Sequence, residues 1–116
     1  MLRASATKNG LPVNLKAMTD RTLDLELANG EILLAFADAC VGNDLSALNE
    51  ARAEIVGKMG SGALVQAAAI AGNFSMNDTA ANAIGIPMES MFLRDSEDYR
   101  SELGINDYPS AKNSLG

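Results

Sequence analysis

Apolar and small residues cover most of the circumference of one long stretch, SGALVQAAAIAGNFSMNDTAANAIGIP, from Ser61 to Pro87. Leu64, Ala68, Ala71, Ser75 and Asp78 fall on one helical face, and Val65, Ala69, Gly72, Met76 and Ala83 lie around much of the rest. The pattern predicts a central buried helix with neighbours on several sides. Its ends are marked: Ser61 is placed to cap the first turn, and Gly85, Ile86 and Pro87 supply a left-handed glycine, an apolar residue and a proline that stop it. Ala63, Ala67 and Ala71 recur every fourth position, a line along which another backbone can approach closely.

The flanking pattern adds further helices. Asn43-Asp44 is a cap signal for a helix over Leu45 to Met59, with Leu48, Arg52, Ile55, Val56 and Met59 in one stripe and Gly60 as its stop. Upstream, Ile32, Leu33, Phe36, Ala37, Cys40 and Val41 keep helical spacing, with Glu31 and Asp38 on the opposite face, which predicts a helix from about Thr19 to Val41, kinked or interrupted at Gly30. A hairpin competes for the first part of it, because Leu23, Leu25 and Leu27 alternate with polar residues before Asn29-Gly30. A short helix opens at Asp95 or Ser96 and runs to Leu103 before Gly104, with its acids in the first turn, where the helix dipole favours them. Residues 1–19 show no period and read as an arm. The segment 105–116 reads as a flexible tail with Tyr108 as its anchor, which leaves 20–104 as the helical domain. The expected fold is all-α, a bundle of about four helices around the Ala-rich one.

Composition narrows the function. At 116 residues the chain has the size of one domain, and with five aromatic residues its core must come from Leu, Ile, Val, Met and Ala. The net charge of −6 argues against general nucleic-acid binding, which needs clustered Lys and Arg. That charge is uneven: residues 1–19 carry +3 through Arg3, Lys8 and Lys16, so the remainder carries −9. Cys40 is the only cysteine, which rules out an intrachain disulfide and makes a cytoplasmic location the default expectation. No apolar run of signal-peptide length occurs near Met1, and no run approaches the ~20 residues of a membrane span.

Residues 31 to about 89 resemble the later half of the carboxymuconolactone decarboxylase and alkylhydroperoxidase D-like superfamily, in its peroxidase-related branch. The resemblance is carried by Ile32-Leu33-Leu34-Ala35-Phe36-Ala37-Asp38, by the alanine-rich Leu64 to Phe74, and by Ala83-Ile84-Gly85-Ile86-Pro87; Arg100-Ser101-Glu102-Leu103-Gly104 is similar to sequences that follow. It implies a helical fold and assembly through these helices. Peroxide-reducing members use a C-x-x-C pair with a histidine and a glutamate, whereas this chain has one cysteine, in Ala39-Cys40-Val41-Gly42, and no histidine. Where the family's central helix often continues with asparagine and asparagine-arginine, this chain has Ser75, Asp78 and Thr79. Nothing of the redox motif carries over, so the expected protein is non-redox and acts through homo-oligomer formation or small-ligand binding. An enzyme with a non-standard site, or with a partner chain supplying the missing half, is the alternative.

The candidate ligand-binding residues are Gln66, Asn73, Asn77, Asp78 and Asn82, a polar run on the Ala-rich helix; the plainer reading has them bonded to backbone carbonyls or facing water. Cys40, near a helix C-terminus where the dipole disfavours a thiolate, reads as a buried, inert cysteine. The pairs Glu50/Glu54 and Glu97/Asp98 read as solvated surface, and Gly60-Ser61-Gly62 as a helix junction rather than an anion loop. Without histidine, no Ser-His-Asp triad, Cys-His pair or His-type zinc site is possible. No catalytic residue, cofactor or metal is expected. The partners expected are a second copy, most simply in a dimer, and a small molecule, with neither nucleic acid nor membrane.

Overall fold

The structure, a computed structural model, describes residues 2–115, with side chains described from Ser5 onward. The fold is all-α, and no strand occurs among the described residues. Seven α-helices follow in order: α1 (Leu2–Lys8), α2 (Gly30–Val41), α3 (Leu45–Met59), α4 (Ser61–Ile84), α5 (Ser90–Asp95), α6 (Glu97–Glu102) and α7 (Lys112–Leu115). Short 3-10 turns lie at Leu15–Met18, Ile105–Asp107 and Pro109–Ala111. The chain divides into two compact units, one ending at Phe74 and one beginning at Ser75, and α4 runs across the division.

In the first unit α2 packs on α3. Phe36, Ala51 and Ile55 form the buried centre, joined by Ile32, Ala39, Leu48 and Met59 and by Ala63, Leu64 and Ala67 from the start of α4. The α3 contribution at 48, 51, 55 and 59 has the three-and-four spacing of one helical face. Arg52, placed in the stripe by sequence, is exposed and donates to the Asn49 side chain at 2.9 Å. Asp44 caps α3 as expected: its carboxylate accepts from the amides of Ser46 at 2.8 Å and Ala47 at 3.2 Å, satisfying two of the donors that a helix start leaves free.

The helix expected from Thr19 starts at Gly30 instead, and residues 20–29 form turns rather than a hairpin. Local side-chain bonds explain the difference. Asp20 accepts from the Thr22 amide at 3.0 Å and the Thr22 hydroxyl at 2.6 Å, and Asp24 accepts from the Glu26 amide at 2.7 Å. Such aspartate turns compete with a helical ladder. Glu26 and Asn29 have positive φ, which ends any regular element there. Gly30 is needed for space: a Cβ on it would lie 2.9 Å from Leu25 Cδ2.

Residues 1–19, read from sequence as a loose arm, carry α1 and a 3-10 turn, with Ala6, Leu15 and Ala17 buried. The Asn14 amide donates to the Leu25 carbonyl at 3.0 Å, tying this lead-in to the turns that follow. Residues 105–116, read as a flexible tail, carry two 3-10 turns and α7, and the Met88 amide donates to Ser114 Oγ at 2.7 Å.

The Ala-rich helix α4 has the expected length but not the expected surroundings. Ser61 is its first residue rather than its cap, because Gly60, at φ +88°, both ends α3 and leads straight into α4. At the other end Gly85 takes φ +67° and the Ile86 amide donates to the Ala81 carbonyl at 3.1 Å, the bonding of a Schellman stop. None of its 24 residues is buried, so the buried central helix read from the sequence is corrected to one with open sides. Its half-buried positions include Ala63, Ala67 and Ala71. Ala63 and Ala67 pack against the chain's own α2–α3 centre.

Candidate functional site

Gln66, Asn73, Asn77, Asp78 and Asn82 all lie on α4 with exposed side chains. Gln66 and Asn73 belong to the first compact unit, and Asn77, Asp78 and Asn82 to the second. Only Asn82 among them lines the cleft described below. Cys40 is exposed, which corrects the expectation of a buried cysteine. The inward line of α2 runs through Ile32, Phe36 and Ala39, and Cys40, one position past Ala39, turns away from it at the end of the helix. Among the described residues no group of three or more Cys, Asp or Glu side chains is placed to hold a metal ion.

The cleft lies wholly within the second unit and has a volume of about 360 Å³. It is formed where the end of α4, the segment after Gly85, α5, α6 and the C-terminal turns meet. Its wall is mainly apolar, with Ile86, Pro87, Met88, Leu93, Ile105 and Leu115, and Asn82, Asn106 and Ser110 add polar groups. One charged residue lines it, Arg100. Size and lining match the usual form of a small-molecule site.

Arg100 is 7% exposed, and its position is set by the α5–α6 junction. Ser96, also buried, separates the two helices; its hydroxyl donates to the Phe92 carbonyl and accepts from Arg100 Nε at 2.8 Å. Arg100 Nη2 donates to the Leu93 carbonyl at 2.7 Å, and Nη1 donates to Asn106 Oδ1. The guanidinium thereby joins the end of α5 to the first C-terminal turn. All three acceptors are neutral, and among the described residues Arg100 forms no ion pair with a carboxylate. Sequence reasoning placed Arg100 in a short helix without marking it, because nothing in the pattern separates it from the exposed Arg94. The one available signal is the Ser96–Arg100 spacing of four, which places the residue before α6 one turn below Arg100.

A second group of interest is on α4. Ala63, Ala67, Ile70 and Phe74 follow one another at intervals of four, three and four, so they form one stripe. The first two rest on the α2–α3 centre, whereas Ile70 is 60% exposed and Phe74 is 54% exposed. Val65 and Met76, on the far side of the helix, are also exposed.

No family model, curated protein or solved structure matches the chain. No described helix is long and apolar enough to cross a membrane.

Proposed function

We propose that this is a non-redox helical protein that works as a homo-oligomer, most simply a two-fold dimer, with α4 as the assembly element. The observation that carries the reading is the stripe on α4: it begins on the chain's own core at Ala63 and Ala67 and continues bare at Ile70 and Phe74. A helix of 24 residues with one charged side chain, Asp78, and no buried residue gains little from facing water. Covering side chains such as Ile and Phe contributes about 1.5–3 kcal/mol each. A second copy presenting the same stripe across a two-fold axis supplies that cover, since an isologous contact needs one self-complementary patch. The resemblance to the alkylhydroperoxidase D-like superfamily, whose members commonly assemble through these helices, supports the same reading. The absence of a C-x-x-C pair and of histidine supports the non-redox part.

The Ala63–Ala67 portion of the line is taken up by the chain's own packing, so the informative substitutions lie further along. Light scattering coupled to size exclusion, over a wide concentration range, should show a dimer or larger species. Ile70→Glu and Phe74→Glu should each shift it toward monomer while leaving helix content intact, because a charge cannot be desolvated cheaply in an apolar contact. A stable monomer at every concentration would sink the reading.

A further inference from the structure

We propose that the cleft of the second unit binds a small organic acid, a monocarboxylate with an apolar body, with Arg100 receiving the carboxylate. This inference is independent of self-assembly.

The first argument is charge. A guanidinium shielded from water normally has an acid beside it, because neutral acceptors satisfy its geometry but leave its charge uncompensated. Arg100 is almost wholly buried, and its partners are a serine hydroxyl, a backbone carbonyl and an asparagine oxygen. Among the described residues the cleft lining contains no acidic side chain, and its one charged side chain is Arg100.

The second argument is donor capacity. A guanidinium has five N–H groups, and the three acceptors among the described residues engage three of them. Carboxylates are the small anions that a planar fork of this kind recognises best, by charge-assisted hydrogen bonds.

The third argument fixes the rest of the ligand. Besides the guanidinium the cleft is lined by Ile86, Met88, Leu93 and Ile105, which suit a hydrocarbon body and would leave a bare inorganic ion without apolar contacts. Residues 75–116 hold seven acidic and three basic side chains, so the surrounding field disfavours multiply charged anions. One charge on an apolar body satisfies both conditions.

The test uses the full chain and four probes: 3-phenylpropionate, its uncharged amide, 3-phenylpropylamine and inorganic phosphate. Amide chemical shifts are followed by NMR during titration. The expected result is saturable shifts at Arg100 and residues 105–111 with the acid, and binding roughly tenfold weaker or more for the amide, as loss of charge-assisted bonds implies. Neither the amine nor phosphate should match the acid. Ser110→Glu places a carboxylate on an exposed turn at the cleft wall and should weaken the acid several-fold without altering helix content. Arg100→Gln should abolish the preference for acid over amide; if that variant unfolds, the amide and Ser110→Glu arms still decide. Equal binding of acid and amide, stronger binding of phosphate than of the acid, or no saturable shift with any probe would each overturn the proposal.

Discussion

Arg21 reaches from the turn region to α2 and grips Asp38 at two points, with Nη2 2.7 Å from Oδ1 and Nε 3.1 Å from Oδ2. The same guanidinium donates through Nη1 to the Ala17 carbonyl at 2.9 Å. One side chain therefore holds the lead-in, the turns and α2 in register, where a regular element would have used backbone bonds. Both side chains are about half exposed, which limits the energy of the pair. A double-mutant cycle with Arg21→Ala and Asp38→Ala should give a coupling of about 0.5–1 kcal/mol by urea unfolding, smaller at about 1 M salt. No coupling at low salt would show that the geometry contributes nothing to stability.

The Asp20 carboxyl is held below its ordinary value of 3.8, first by the hydrogen bond from the Thr22 hydroxyl and then by the Thr22 amide, against an opposing effect of burial, with the charge of Lys16 adding last to the lowering. A depressed folded-state value means that this group's contribution to stability is present above the unfolded-state value and is lost as pH falls through the folded-state one. Thr22→Val removes the larger cause and keeps the amide. Carboxyl NMR titration should show the Asp20 midpoint move up in this variant, and a midpoint that stays put would assign the effect elsewhere.

Ile55 is fully buried at the centre of the α2–α3 contact, whereas its neighbour Val56 is largely exposed. Ile55→Ala should cost about 2–5 kcal/mol, through lost burial plus the cavity left behind. Val56→Ala, on the open side, should cost less than about 1 kcal/mol. Comparable costs in thermal or chemical unfolding would mean that α3 is rotated relative to the packing described.

Cys40 is accessible, so labelling with a thiol reagent should be fast in the folded protein. Accessibility alone does not make a peroxidase, since attack on a hydroperoxide needs an activated thiolate and the chain has no histidine to take the thiol's proton. We expect no sustained turnover of alkyl hydroperoxide with a dithiol reductant, and Cys40→Ser should leave the background rate unchanged. Cysteine-dependent turnover would refute the non-redox reading.

Residues whose partners are a few positions away were legible in the chain itself. Asp44 before α3, and Gly85-Ile86-Pro87 after α4, identified helix ends, because cap bonds join residues two to five apart. Of the α3 stripe, Leu48, Ile55 and Met59 were legible, whereas Arg52 and Val56, expected in it, are exposed, and the buried Ala51 gives no periodic signal because its side chain is small. The helix expected from Thr19 begins only at Gly30, because the helical spacing that supports it lies within residues 32–41, while the aspartate turns at Asp20 and Asp24 decide the conformation of 20–29. Of the ligand-binding candidates that the sequence offers, only Asn82 lines the cleft, since those candidates lie along one helix and the site is assembled from several elements.

The sequence by itself determined that the protein is helical and where α3 and α4 lie, because composition, caps and period act over single turns. Tertiary structure decided which apolar positions are covered. Ile55 and Ile70 are alike in the one-dimensional pattern, yet one is sealed and the other is bare, because within the first unit the α2–α3 centre takes up Ala63, Leu64 and Ala67 of α4 and not Ile70. It likewise separated Arg100 from Arg94. Burial of a charge depends on where α5, α6 and the turn at Ile105–Asp107 meet in space, and that meeting is a property of packing rather than of spacing along the chain.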